Sequence, residues 1–243
     1  MVQIRVSTRD LNHNQFGAIH TSTLREDINS LRLLTLAKNA IKGKTRKASY
    51  SPSLGYTLQM KKPAIKHCRE CGSKVNYRLP DDGDTKLRAV CSVCTTVHYE
   101  NPLNVVGTVP YWGPGGEQVL LCKRNIEPRK GFWTLPAGFM ELDETTSQGA
   151  ARETVEESGA EFELQNLFSV VNVHRVGQVH LFYRARLSSC KFEPGHETME
   201  AALFTEQNIP WDELAFKTVR TTLERYFADQ RTGRYGFHEI DVD

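Results

Sequence analysis

Apolar positions change period along this chain, and the changes mark its elements. Leu103–Pro110, Gln118–Arg124, Phe162–His174, Val179–Leu187 and Met199–Phe204 are runs rich in Val, Leu, Phe and Thr, and they predict five strands. GPGG at Gly113–Gly116 predicts a turn between the first two. Thr145–Ser158 and roughly 216–229 carry helical spacing, with Gly159 as a C-terminal stop for the first. In that first helix Glu153, Glu156 and Glu157 fall within an arc of roughly 100°, while Ala151, Val155 and Ser158 fall opposite, a small face suited to packing on a sheet. Gly149 and Ala150 lie beside the acidic stripe and leave room for a group to approach. Interleaved strands and helices predict an α+β domain over residues 101–230, followed by a poorly ordered tail, 231–243.

Residues 1–65 follow a different pattern. Leu24, Ile28, Leu31 and Leu34 recur at helical spacing within Leu24–Ile41, whereas GKTRKASYSPSLGY reads as loop or disorder. The whole stretch is expected to be a basic extension, disordered or partly helical. Residues 1–66 hold 12 Lys/Arg against 3 Asp/Glu, and residues 67–243 hold 19 against 26, so a net charge of +2 hides a basic head on an acidic body. Three readings stand for the head: a plastid or mitochondrial transit peptide, a loosely docked arm, or upstream sequence not normally translated. Met60, just before KKPAIKHC, favours the last.

With 243 residues, 39% hydrophobic and 25% charged, the chain is long enough to bury a core without disulfides, and no run approaches the roughly 18 apolar residues of a spanning helix. Collagen, coiled-coil and membrane readings are excluded. Four of six cysteines form two tight pairs, which points to a reducing, cytoplasmic setting, or to a plastid if the head is a transit peptide.

Cys68, Cys71, Cys91 and Cys94 are spaced C-x2-C-x19-C-x2-C. Two such turns bring four thiolates together as a tetrahedral Zn²⁺ site requires, and Gly72 suits the turn after the first pair. A small four-cysteine zinc ribbon is therefore expected at 66–100. With all four ligands from protein, the zinc is structural. Nucleic-acid binding by the ribbon is not expected, because only Tyr77 and Tyr99 offer rings for stacking.

Three carboxylates at i, i+3 and i+4 repel one another, by roughly 3 kcal/mol per pair at ~6 Å and an effective dielectric near 20. Hard divalent cations with oxygen ligands, Mg²⁺ or Mn²⁺, supply the counter-charge. Arg152 beside them suits pairing with Glu144. Gly138, five residues, Glu144, seven residues, then Arg152-Glu153-Thr154-Val155-Glu156-Glu157-Ser158-Gly159-Ala160 resembles the Nudix box GX5EX7REUXEEXGU, with Thr154 where the pattern has a bulky aliphatic residue and Ala160 small at its last apolar position. The resemblance implies an α/β/α sandwich around a mixed sheet. A four-cysteine ribbon followed by HYENP, VLLCKRNIEPRKGFWTLPAGFME and PWDELAFKTV is similar to a zinc-ribbon branch of Nudix hydrolases from bacteria and plastids.

By that resemblance the reaction is hydrolysis of a nucleoside diphosphate derivative. Glu153, Glu156 and Glu157 would hold Mg²⁺ or Mn²⁺ together with a backbone carbonyl near Gly138. Arg152 and Glu144 would complete the box, and Glu197 or Glu200 would act as an external general base. Arg124, Arg129 and Lys130 are candidates for phosphates, and Phe132 and Trp133 for stacking a ring, with Trp133 in FWTLP also read as a core residue. The expected partner is a small-molecule dinucleotide, with a homodimer as the expected assembly. The SQPWPFPxS-type motif of zinc-ribbon NADH pyrophosphatases is missing between Ala160 and Glu200. Resemblance to plastid relatives favours FAD, cleaved to FMN and AMP, with ADP-ribose or NADH as the alternative. RNA decapping and nucleotide sensing are further readings.

Overall fold

A cysteine turn on either side of a hairpin organises the first folded segment. Val75–Arg78 (β1), Arg88–Cys91 (β2) and Val97–His98 (β3) form an antiparallel three-stranded sheet in the order β1-β2-β3. The structure is a computed structural model and describes residues 64–242. The basic head, including the helix expected over Leu24–Ile41, lies outside the described residues.

The larger sheet comprises Leu103–Trp112 (β4), Gln118–Arg124 (β5), Trp133–Thr134 (β6), Ala137–Phe139 (β7), Phe162–Val173 (β8), Gln178–Leu187 (β9), Thr198–Thr205 (β10) and His238–Asp241 (β11). Its main path runs β10-β5-β4-β9-β8-β11, with β6 on β5 and β7 on β4. β4 pairs in parallel with β9, and β11 with β8, while the other pairs are antiparallel. The five expected strands appear within two residues of their predicted ends. β11 corrects the expectation of a poorly ordered tail: Val242 N–H donates to Asn172 O, and the Asn172 side chain donates to Asp241.

Alternation along β4 assigns the helices, Thr146–Ser158 (α1) and Lys217–Thr232 (α2), to opposite faces. Thr108 meets α1 through Thr154, whereas Val109 and Tyr111 join Val219, Leu223, Tyr226 and Phe227 of α2 in the main apolar cluster. This is the expected layering of helix, sheet and helix.

α1 begins at Thr145, whose hydroxyl accepts from Gln148 N–H while the Gln148 side chain accepts from Thr145 N–H. That reciprocal cap satisfies two orphan donors. Gly159, at φ 61°, ends the helix in the left-handed region that glycine enters without a Cβ clash.

The buried face of α1 differs from the projected one. Gly149, Ala150, Thr154, Glu157 and Ser158 are buried, while Val155 is 52% exposed. The axis is rolled so that the small residues, not Val155, meet the sheet. Gly149 packs against Val106 and Glu144 rather than leaving an open approach. Thr154 gives up aliphatic bulk for a buried hydroxyl chain: its Oγ1 donates to Ala150 O (2.7 Å) and lies 2.7 Å from Thr108 Oγ1. Thr154→Val should therefore cost about 1–3 kcal/mol by stranding the Thr108 hydroxyl, and Thr108→Val/Thr154→Val should restore most of it, as urea titration of the three proteins would read.

Candidate active site

β7 and the loop after it lie against the middle and last turns of α1, and Arg152 locks the two together. Arg152 Nε and Nη2 donate to both oxygens of Glu144 (3.0 and 2.9 Å). Its Nη1 donates to Glu153 (2.8 Å) and Glu156 (3.1 Å), and Nη2 also reaches Phe139 O (3.3 Å). Glu144 in turn accepts from Glu141 N–H (2.7 Å). These bonds, Arg152 foremost, hold the Glu144 carboxyl down at about 2 and keep Arg152 protonated. The pairing expected between Arg152 and Glu144 is present, and it fixes the loop on the helix.

Glu153 and Glu157 turn inward, whereas Glu156 remains mostly in solvent. Glu157 is 7% exposed and accepts from Ala137 N–H (3.0 Å). Burial, reinforced by the Glu153 charge, lifts its carboxyl to about 8 against the Ala137 bond. Burial likewise raises Glu153 despite Arg152. A Cβ at Gly138 would overlap the Glu153 carboxylate, so only glycine lets this side chain lie on the β7 backbone. The carboxylate pair thus holds hydrogen bonds from one guanidinium and one amide, with Arg124 favouring the charged form of Glu157, against the added charge of Glu144, Glu156 and Glu197. Such an oxygen-rich, under-compensated set suits a hard divalent cation.

The residues proposed around this cluster separate on inspection. Glu197 is near enough for its charge to raise both Glu153 and Glu157, while its backbone carbonyl accepts from Asn125 N–H. Glu200 is exposed on β10 opposite Lys123. Arg124 favours the charged form of Glu157, donates to Pro128 O (2.9 Å) and lies 5.2 Å from the Phe216 ring centre. Arg129 covers the half-buried Phe132 ring at 5.3 Å, and Lys130 is exposed. Trp133 corrects the sequence expectation. It is 6% exposed, packs edge-on to Phe204 at 4.9 Å and carries Lys123 5.5 Å from its ring centre, so neither face is open for stacking.

A cavity of about 550 Å³ lies beside the start of α2, lined by Arg129, His180, Trp211, Phe216 and Thr218 among others. Sequence reasoning assigned no role to the last four. PWDELAF stood out as a pattern, but the cavity draws on segments from Pro128 to Val242 that only folding assembles. Burial holds the His180 imidazole neutral, its basicity reduced to about 4. The folded value is depressed below the ordinary 6.5, so this contribution to stability is complete above about pH 6.5 and is lost as the pH falls toward 4. Up to about 3 kcal/mol should disappear over that window in wild type, and His180→Gln should flatten that part of the profile in pH-dependent urea melts.

In the ribbon the four Sγ atoms lie within 4.8 Å of one another. Cys68–Cys94 is 3.6 Å, and Cys71–Cys91 and Cys71–Cys94 are each 3.5 Å. These separations are far beyond a disulfide and close to the roughly 3.8 Å edge of a tetrahedron with 2.3 Å metal–sulfur bonds. The Thr96 hydroxyl, with its N–H, lowers the Cys94 thiol to about 6. Thiolate donors in this arrangement suit a soft or borderline divalent metal.

Two family models divide the chain where its two sheets divide: "Nudix N-terminal" matches residues 66–100 and "NUDIX domain" matches 102–227. The chain therefore belongs to the Nudix family. A solved Nudix hydrolase from Nitrosomonas europaea is 45% identical over 73% of this chain and 99% of its own, with a TM-score of 0.69. Among curated proteins, an NAD-capped RNA hydrolase (NudC) of Vibrio vulnificus is 26% identical over 60% of this chain and 53% of its own length. An ADP-ribose pyrophosphatase of Methanocaldococcus jannaschii is 30% identical over 41% and 60% respectively. The match thus spans less than two thirds of each of these two curated relatives. No helix among the described residues is long and apolar enough to cross a membrane.

Proposed function

We propose that this chain is a divalent-metal-dependent pyrophosphatase acting on an AMP-containing dinucleotide, FAD foremost, with ADP-ribose as the second reading and NADH behind it. The observation that carries the reading is the inward-turned, under-compensated pair Glu153 and Glu157, with one arginine tying Glu153 to Glu156 and the Ala137 amide holding Glu157. The likeness to an ADP-ribose pyrophosphatase and to an NAD-capped RNA hydrolase supports the dinucleotide class. FAD rests on the resemblance carried by the ribbon and the PWDELAFKTV stretch.

Glu153, Glu156 and Glu157, with the Gly138 carbonyl, are the residues to hold Mg²⁺ or Mn²⁺. When bound, such an ion neutralises pyrophosphate charge and acidifies a coordinated water. Arg152 keeps Glu144, Glu153 and the β7 loop in register. Arg124, beside Glu157, is placed to bind a phosphate oxygen through its planar fork. Glu197 is the group assigned to take the proton of the attacking water. The ribbon, 66–100, serves as a structural zinc module and 101–230 as the catalytic domain, in a homodimer with no role in nucleic-acid binding. The test is kcat/KM for pyrophosphate cleavage of FAD, ADP-ribose, NADH, NAD and capped RNA, read as AMP from the four small molecules and as the 5′-monophosphate RNA end from the capped RNA. FAD or ADP-ribose leading by about tenfold, roughly 1.4 kcal/mol of transition-state preference, supports the reading, and capped RNA leading overturns it.

A further inference from the structure

The loop between β9 and β10, residues 188–197, brings Glu197 to the carboxylate cluster and is gripped from two sides. On the helix side it meets the backbone of α1, where Glu193 N–H donates to Ser158 O (2.9 Å). Gly195 lies so close to Glu156 O that a Cβ would collide with that carbonyl, so glycine lets the loop settle on the helix. On the sheet side the loop meets the end of β5 through Asn125. This half-buried residue donates twice, from its N–H to Glu197 O (2.7 Å) and from Nδ2 to His196 O (2.9 Å).

Those two carbonyls belong to the two peptides that flank the Glu197 Cα. Each peptide is planar, so fixing both carbonyls fixes the backbone angles of Glu197 and the direction in which its side chain leaves. The Glu197 side chain is 44% exposed, and with little packing to hold it, its placement falls to the backbone. The ladder contributes as well. Thr198 pairs with Arg124 but Glu200 with Lys123, so β10 carries an extra residue at Met199, immediately after the loop. Bulges of this kind re-aim side chains beside active sites. The Glu197 charge does reach Glu153 and Glu157. Arg124, one residue before Asn125, is the group placed for a phosphate oxygen, so one strand end sets both.

We propose that Asn125 is a positioning residue of the reaction, holding the Glu197 carboxylate at Glu153 and Glu157 through the two peptides that flank it. It acts through Glu197 and touches neither the metal ligands nor the attacking water. The assignment rests on the pyrophosphatase reading and on Glu197 as the base. Asparagine is required because its amide donates; aspartate has the same shape but only acceptor oxygens to set against His196 O.

The test is kcat and KM for FAD and ADP-ribose with Mg²⁺, in wild type, Asn125→Asp, Glu197→Gln and Asn125→Asp/Glu197→Gln. General-base assistance is worth about 10²–10⁴-fold, and a misplacement of about 1 Å costs on the order of 10²-fold. Asn125→Asp should therefore lower kcat about 10- to 100-fold and leave KM within about twofold. On the Glu197→Gln background the same change should cost less than about twofold, because the group it positions is gone. Gly195→Ala, which lifts the same loop from the helix side, should show the same dependence on Glu197. An equal fall in kcat on both backgrounds marks a merely structural role and overturns the proposal. So does a loss carried by KM alone, or wild-type kcat in Asn125→Asp or in Glu197→Gln. Amide hydrogen exchange over 193–198 reads the grip without turnover, and it should quicken in Asn125→Asp. Unchanged exchange overturns the grip whatever the activity. Wild type that hydrolyses neither compound overturns the pyrophosphatase reading, and quickened exchange would then leave the hold of Asn125 on Glu197 standing.

Discussion

Glu156→Gln/Glu157→Gln should lower kcat/KM for FAD or ADP-ribose by about 10³-fold or more, roughly 4 kcal/mol of transition-state stabilisation, while the metal-free protein melts no lower than wild type. The two effects point in opposite directions because Glu157 is a poor contributor to folding. Its carboxyl is desolvated beside Glu153, and its one amide bond does not offset that burial. The folded value, about 8, lies above the ordinary 4.5, so the proton held by the native state stabilises it fully below about pH 4.5. That advantage is lost as the pH rises through 8. Glutamine, neutral and nearly isosteric, should remove this slope from metal-free melts. Site strain of this kind is expected where a group is kept for binding rather than for stability. Activity lost together with a large fall in melting temperature would show a packing role instead.

Cys91→Ser should release zinc and unfold residues 66–100 while the larger sheet persists. Cys91 is 2% exposed and Cys68 3%, so these thiols lie in the ribbon interior with little else to hold it: Pro80, Ala89 and Val90 are its other buried apolar residues. Three short strands of four, four and two residues cannot bury enough surface to fold alone. Coordination must supply the difference, and structural Zn²⁺ provides about 10–16 kcal/mol in small modules. Elemental analysis should find one zinc per chain in wild type and none in the variant, with new trypsin cuts between Lys66 and Arg88. A ribbon that resists trypsin after loss of metal would contradict this.

Those ribbon ligands and the acidic helix were legible in the sequence because each depends on local spacing. Two CxxC turns and a run of glutamates on one helix need no knowledge of distant neighbours. The strands were legible for the same reason, as apolar runs bounded by breakers. β11 was not: HEID holds one aliphatic residue, Ile240, and becomes a strand only because β8 offers a parallel edge. The roll of α1 was also hidden. Counting angles placed Ser158 inward, as the structure has it, but Val155 with it, whereas the sheet accepts the smaller Gly149 and Ala150, and Thr154 finds its partner on β4. Trp133 shows the limit for side-chain roles, since an aromatic beside a charged loop reads as a stacking platform until Phe204 is seen against it. The cavity is the clearest case: His180 lies far from Trp211 and Thr218 in the chain, and no periodicity joins them.

The most direct measurement of the central claim is cleavage of FAD and ADP-ribose in ¹⁸O-labelled water, with Mg²⁺ or Mn²⁺ and with EDTA, followed by mass spectrometry of the products. One ¹⁸O per turnover on a phosphate of AMP or of its co-product is expected, with no turnover in EDTA or in Glu156→Gln/Glu157→Gln. Equal turnover in EDTA, or AMP release undiminished in the double variant, would contradict a metal-dependent pyrophosphatase built on these carboxylates.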